Sequence, residues 1–108
     1  MPRYVLRYFF DPGSNICLWS ANDAAREQFD YPVCLHDLGL PENLERRVIY
    51  LMAWFDTSLD WEYPPNPSPW TETERTRFRE ASQHLLSLLR EQLGSEFEII
   101  DESTTPNS

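Results

Sequence analysis

Lysine is absent from this 108-residue chain: its nine basic residues are all arginine, set against eighteen acids. The formal net charge of −9 argues against nucleic-acid binding, which needs a basic footprint, and against adhesion to an anionic membrane. Glycine is scarce as well. Gly13, Gly39 and Gly94 are the only three, and no phosphate-cradling loop can be built from them. No nucleotide or other cofactor is therefore expected. The two cysteines and two histidines lack the Cys-x2–4-Cys or His-x3–5-His spacing of a zinc site, so no metal is expected either. No apolar run approaches the roughly 20 residues that span a bilayer. The opening stretch Met-Pro-Arg-Tyr-Val-Leu-Arg carries a charge at Arg7 and has no small-residue cleavage site, so it reads as a strand and not as a signal peptide. A cytoplasmic location follows as the expectation; a reducing compartment favours free thiols at Cys17 and Cys34, although the pair is compatible with a disulfide and the sequence leaves its redox state open.

What remains is enough for a folded core. Apolar residues make up 41% of the chain and aromatics 14%, too rich a mixture for a disordered protein. The length suits one hydrophobic core. The expectation is a single α+β domain over residues 1–100 and a flexible tail over 101–108.

Residues 3–10 are rich in β-branched and aromatic side chains and predict a strand, with Tyr4, Leu6, Tyr8 and Phe10 on one face. Asp11-Pro-Gly-Ser14 has the chemistry of a type II turn, because Pro12 pre-sets φ and Gly13 accepts a positive one. A short second strand at Ile16–Trp19 completes a hairpin with a loop of about five residues. Ser20 or Asn22 caps a short helix over 21–29, and residues 30–40 form a packed loop anchored by Val33, Leu35, Leu38 and Leu40.

Pro41 starts a long helix expected to reach about Asp60. Leu44, Val48, Leu51, Met52, Phe55 and Leu59 form its core stripe, and Tyr50, Trp54 and Trp61 a second stripe. Residues 48–55 carry no charge, so this helix is either central or exposes one side to a partner. Four prolines between 64 and 69 forbid regular structure there. Thr71-Glu-Thr-Glu74 matches a capping box that opens the last helix, which Gly94 ends. A final strand follows over 96–100. The order is β-β-α-α-α-β. The predicted fold is α+β: a small antiparallel sheet of about three strands, with two long helices and one short helix on one face. Placing the last strand beside the first brings Glu96 and Glu98 near Arg3 and Arg7.

Three of the four tryptophans fall between Trp54 and Trp70, among Asp56, Asp60 and Glu62 and with no basic residue. Large aromatics beside carboxylates on a proline-stiffened backbone have the make-up of a protein-binding surface. Asp56, Asp60, Trp61, Glu62, Tyr63 and Trp70 are the candidate partner-binding residues. Phe55 and Leu59 belong to the core, and the prolines with Trp70 form the hinge that presents the patch. Trp61 and Trp70 also fit a bland role, closing over the core.

Catalytic constellations are weak by comparison. Cys34-Leu-His36 places its two side chains on opposite sides of an extended loop, which does not suit a nucleophile and its base. His84 sits mid-helix among ordinary neighbours. Asp56 and Asp60 are four apart, but a carboxylate pair working as acid and base needs a cleft that splits their pKa values. No enzyme is predicted.

Two resemblances arise. The strand leading into Asn22-Asp-Ala-Ala-Arg-Glu-Gln-Phe-Asp-Tyr31 resembles the opening of a PAS sensor domain. Asp30 replaces the glycine of that pattern, and the chain continues into two long helices where a PAS domain continues into a sheet, so the PAS fold is rejected. In size, acidity and the Trp54-Phe-Asp-Thr-Ser-Leu-Asp-Trp-Glu-Tyr-Pro-Pro segment, the chain resembles the small acidic immunity proteins of bacterial polymorphic-toxin and contact-dependent inhibition systems. The function this implies is that of an immunity or antitoxin-like inhibitor, acting by occlusion of a basic toxin or enzyme surface. The alternatives are a nucleic-acid mimic or regulatory subunit working through distributed acidity, and a small ligand-binding domain or enzyme. The partner's identity and the oligomeric state stay open, as does the choice between the 54–70 segment and the last helix as the interface.

Overall fold

Alternation of apolar side chains makes β1 (Tyr4–Tyr8), whose Tyr4, Leu6 and Tyr8 are buried while Val5 and Arg7 are half-buried. The computed structural model describes residues 2–103. β1 is the middle strand of a three-stranded sheet, between β2 (Leu18–Ser20) and β3 (Phe97–Asp101). β2 (Leu18–Ser20) pairs with it antiparallel, with Tyr8 opposite Leu18 and Leu6 opposite Ser20. The connecting turn is the expected one: Ser14 N donates to Asp11 O, and Gly13 takes φ 82°. β2 starts two residues later than expected, which lengthens the loop. Its outer edge is covered by residues 31–33, where Ser20 N donates to Tyr31 O and Val33 N to Leu18 O.

α1 (Asp23–Phe29) is capped by Asn22, whose Oδ1 accepts from Ala25 N at 3.0 Å. The same oxygen accepts from Val5 N, and Asn22 Nδ2 donates to Arg3 O, so the cap also docks the helix on β1. A single 3-10 turn at Leu35–Leu38 leads to α2 (Glu42–Asp56). The predicted core stripe is buried at Leu44, Val48, Leu51, Met52 and Phe55, whereas Leu59, expected in it, lies past the end of the helix and is only half-buried. The helix ends four residues before the expected Asp60. Thr57 N and Thr57 Oγ1 both donate to Trp54 O, and Ser58 N donates to Phe55 O, so the chain tightens into i→i+3 bonds and leaves the helical path.

α3 (Glu72–Leu93) begins at Thr71, whose Oγ1 accepts from Glu74 N at 3.1 Å. Glu74 does not serve the box as predicted: its Oε2 accepts the indole N–H of Trp54, tying the two long helices together. α3 buries Phe78, Ser82, Leu85, Leu86 and Leu89. Beneath it the Tyr8 hydroxyl lies 3.0 Å from both Ser82 O and Ser82 Oγ. Burial pushes the Tyr8 phenol pKa up, so this buried contact is uncharged.

β3 (Phe97–Asp101) joins β1, as expected, but in parallel, so the sheet is mixed and not wholly antiparallel. The cause lies in the direction of α3. Arg90 Nη2 donates to Ile99 O and Gln83 Nε2 to Asp101 Oδ2, so helix and strand run in opposite directions after the reversal at Gly94. Twenty-two helical residues carry the chain about 33 Å back along the sheet before that reversal. Parallel register sets Val5 opposite Glu98 and Arg7 opposite Ile100. Glu96 and Glu98 thus lie alongside Arg3 and Val5 as expected, but the ion pair of Arg7 is with Glu102 at 2.6 Å, and Arg3 lies over the Tyr4 ring. Asp101 closes the strand and Glu102 and Ser103 carry hydrogen bonds, while residues 104–108 of the expected tail lie outside the described residues.

Two aromatic clusters organise the core between sheet and helices. Tyr4, Phe29 and Phe97 meet at one end. Phe10, Phe55, Trp70 and Phe78 meet at the other, with Trp54 against Trp70 and Phe78. Among the described residues, no buried side-chain nitrogen or oxygen lacks a hydrogen-bond partner.

Candidate partner-binding surface

The segment leaving α2 is held by its own carboxylates. Asp56 Oδ1 accepts from Gly13 N at 2.9 Å, which joins the end of α2 to the β1–β2 turn. The Asp56 carbonyl accepts the Trp61 indole N–H at 2.8 Å. Asp60 Oδ1 accepts from the backbone N–H of Glu62 and Tyr63, and its Oδ2 accepts from Asn66 Nδ2 at 2.9 Å. Those donors, Asn66 first, hold the Asp60 carboxyl below the usual carboxylate range. Asn66 N in turn donates to Tyr63 O across the Pro64-Pro65 corner. The composition of the segment suggests free carboxylates; folding uses two of them as structural acceptors.

This network lifts two rings into solvent. Trp61 is 56% exposed and Tyr63 60% exposed, and Glu62 between them is exposed as well. Trp70 is different. It is only 4% exposed, packs on Phe55 and Phe78, and donates its indole N–H to Thr57 Oγ1 at 2.7 Å. Of the six predicted contact residues, Trp61, Glu62 and Tyr63 share the exposed loop and Asp56 and Asp60 support it, whereas Trp70 is an anchor within the core. Gly13 and Asn66 went unrecognised as parts of this surface. The Asp60–Asn66 link is a short-range signal that polar residues around prolines offer. The Gly13–Asp56 link spans 43 positions and leaves no local trace.

A second run of exposed apolar surface lies on α2. Ile49 is 50% and Tyr50 68% exposed, and Ala53 next to them is exposed. Of the two outcomes open to the uncharged stretch 48–55, the helix does both: one side is core and the other faces solvent.

Cys17 is buried and Cys34 exposed, both as free thiols. His36 Nδ1 lies 3.6 Å from Glu45 Oε1, and His84 is exposed on α3. Among the described residues no group of His, Cys, Asp and Glu could hold a metal ion, and no helix is long and apolar enough to cross a membrane.

A family model described as Serratia CdiI immunity protein-like matches residues 10–102, nearly the whole chain. The chain belongs to that family, and its function is that of an immunity protein, an antitoxin-like inhibitor with a toxin as partner. No curated protein matches the chain.

Proposed function

We propose that this immunity protein acts without catalysis, by covering a basic surface of its toxin with the patch made by Trp61, Glu62 and Tyr63. The observation that carries this reading is the exposure of two large rings on a loop that hydrogen bonds already hold in place. Tryptophan and tyrosine are the side chains most often responsible for binding energy at interfaces. A loop ordered before binding loses less entropy on docking. Asp56 and Asp60 support the loop while adding negative charge beside Glu62, and the net charge of −9 favours encounter with a basic partner. Trp70 contributes from below, by fixing the end of the loop against the core. The same reading places the protein in the cytoplasm, where two unpaired thiols suit a reducing environment.

The test is calorimetric titration of the toxin encoded beside this chain, or co-purified with it, into the wild type and the double variant Trp61→Ala/Asp60→Ala. A loss of about 2–4 kcal/mol of affinity is expected. Unchanged affinity would place the interface elsewhere. Mass spectrometry of toxin recovered from the complex separates occlusion from catalysis: the toxin should be unmodified, and a covalent change would overturn the non-enzymatic reading.

A further inference from the structure

We propose that the groove between α2 and α3 is a second docking surface, which takes an acidic protein segment bearing an apolar anchor side chain. The groove encloses about 530 Å³ over Tyr50, Leu51, Trp54 and Ala81, rimmed by Arg46 and Arg47. It continues past Tyr50 and Trp54 into a second depression of about 700 Å³ that reaches Arg77 on α3. One aromatic floor therefore joins both depressions.

Charge decides the kind of occupant. Three of the chain's nine arginines, Arg46, Arg47 and Arg77, line the two depressions against one acid, Glu74, whose Oε2 already accepts the Trp54 indole N–H, in a protein that carries eighteen acids. A partner that found the chain only through its net charge would be basic, and this groove would repel it locally. An acidic segment is attracted here and repelled elsewhere, which makes the groove selective. Arg46 pairs with Glu42 at 2.6 Å across one helical turn, but both side chains are more than three-quarters exposed. Such a pair contributes little, so the guanidinium is available to an incoming carboxylate at small cost.

The floor is preformed. Trp54 is held by its indole N–H bond to Glu74 at 3.1 Å and by edge packing on Phe78. Tyr50 leans toward it, with ring centroids 6.2 Å apart, and otherwise faces solvent. An aliphatic or aromatic anchor laid between Tyr50, Ala81 and Trp54 removes apolar surface from water on both sides, while flanking carboxylates meet the arginines. This surface is distinct from the Trp61–Tyr63 loop and stands whether or not that loop is the toxin contact.

The test uses the full-length protein labelled with 15N and three blocked synthetic peptides of equal length. Each carries one central leucine, flanked by glutamate, by glutamine or by lysine. The glutamate peptide is expected to give saturable shifts at Tyr50, Ala81 and the Trp54 indole N–H, with the Trp61 indole unmoved. Added salt weakens the effect. Arg46→Glu combined with Arg47→Glu, both on an exposed helix face, should weaken binding about tenfold or more while leaving the helical circular dichroism intact. Trp61→Ala should leave the titration unchanged, which separates this surface from the proposed toxin contact. Equal binding of the glutamine peptide, preference for the lysine peptide, shifts centred on Trp61, or no shifts at all would each overturn the proposal. So would the same shifts produced by a single-stranded oligonucleotide, or by raising the protein's own concentration, since the occupant would then be a nucleic acid or a second copy.

Discussion

The indole nitrogen of Trp61 donates to the backbone carbonyl of Asp56 at 2.8 Å, so this exposed ring is tied to the last residue of α2. Its six-membered ring lies over Gly13, whose N–H is bound by the Asp56 carboxylate. Turn, helix end and exposed ring thus form one unit.

Gly13→Ala should disturb that unit. Gly13 has φ 82°, and a Cβ placed there would come within 3.3 Å of Trp61 Cη2. The left-handed backbone alone costs a non-glycine residue about 1–2 kcal/mol. A urea midpoint lowered accordingly, with the Trp61 indole resonance displaced, is the expected result. An unchanged indole shift would mean that the ring does not rest on the turn.

Trp61 and Trp70 should separate by experiment. Trp70→Ala removes a ring buried among Phe55, Phe78 and Trp54 and should destabilise the fold by about 3–5 kcal/mol. Trp61→Ala removes a largely solvent-facing ring and should change stability by less than about 1 kcal/mol while weakening toxin binding. Denaturation curves and binding titrations of both variants check the pair. A Trp61 variant as unstable as the Trp70 variant would make Trp61 a structural residue.

Acid should loosen the protein through carboxylates held below their ordinary pKa. Asp60 is lowered by Asn66 and the loop backbone, and Glu102 by its bond to Arg7. A depressed folded pKa means that the unfolded chain takes up protons first as pH falls. The stabilisation is complete above the ordinary values of 3.8 for aspartate and 4.5 for glutamate, and is lost as pH drops through the lower folded values. Melting temperature measured from pH 6 to 2 should fall across that interval. Asp60→Asn should flatten the fall, and an identical profile would remove Asp60 as a contributor.

The thiols should differ in reactivity. Burial pushes the Cys17 thiol up to about 12, whereas Cys34 is exposed. An aromatic disulfide reagent at neutral pH should label one thiol in the native protein and the second only in urea, because the thiolate is the reacting form. Rapid labelling of both under native conditions would contradict the burial of Cys17.

Local chemistry carries the elements whose reasons lie within a few residues. The alternation of Tyr4, Leu6 and Tyr8, the Pro12-Gly13 turn, the Asn22 and Thr71 caps and the stripe from Leu44 to Phe55 are all visible in order along the chain, and all form. Composition likewise marked the 54–70 segment as unusual and pointed to the immunity class to which the family match assigns the chain. Other features depend on how finished elements lie against one another. The direction of β3 follows the path of α3 over the sheet, and periodicity is the same for a parallel and an antiparallel strand. Trp61 and Trp70 stand in similar surroundings in sequence, yet one is lifted by the Asp56 carbonyl and the other is drawn under by Phe55, Phe78 and Thr57. Sequence alone determined that these rings and acids would lie together. Tertiary contacts, several spanning more than ten residues, decided which ring became core and which stays exposed to solvent, because burial depends on the packing of distant elements.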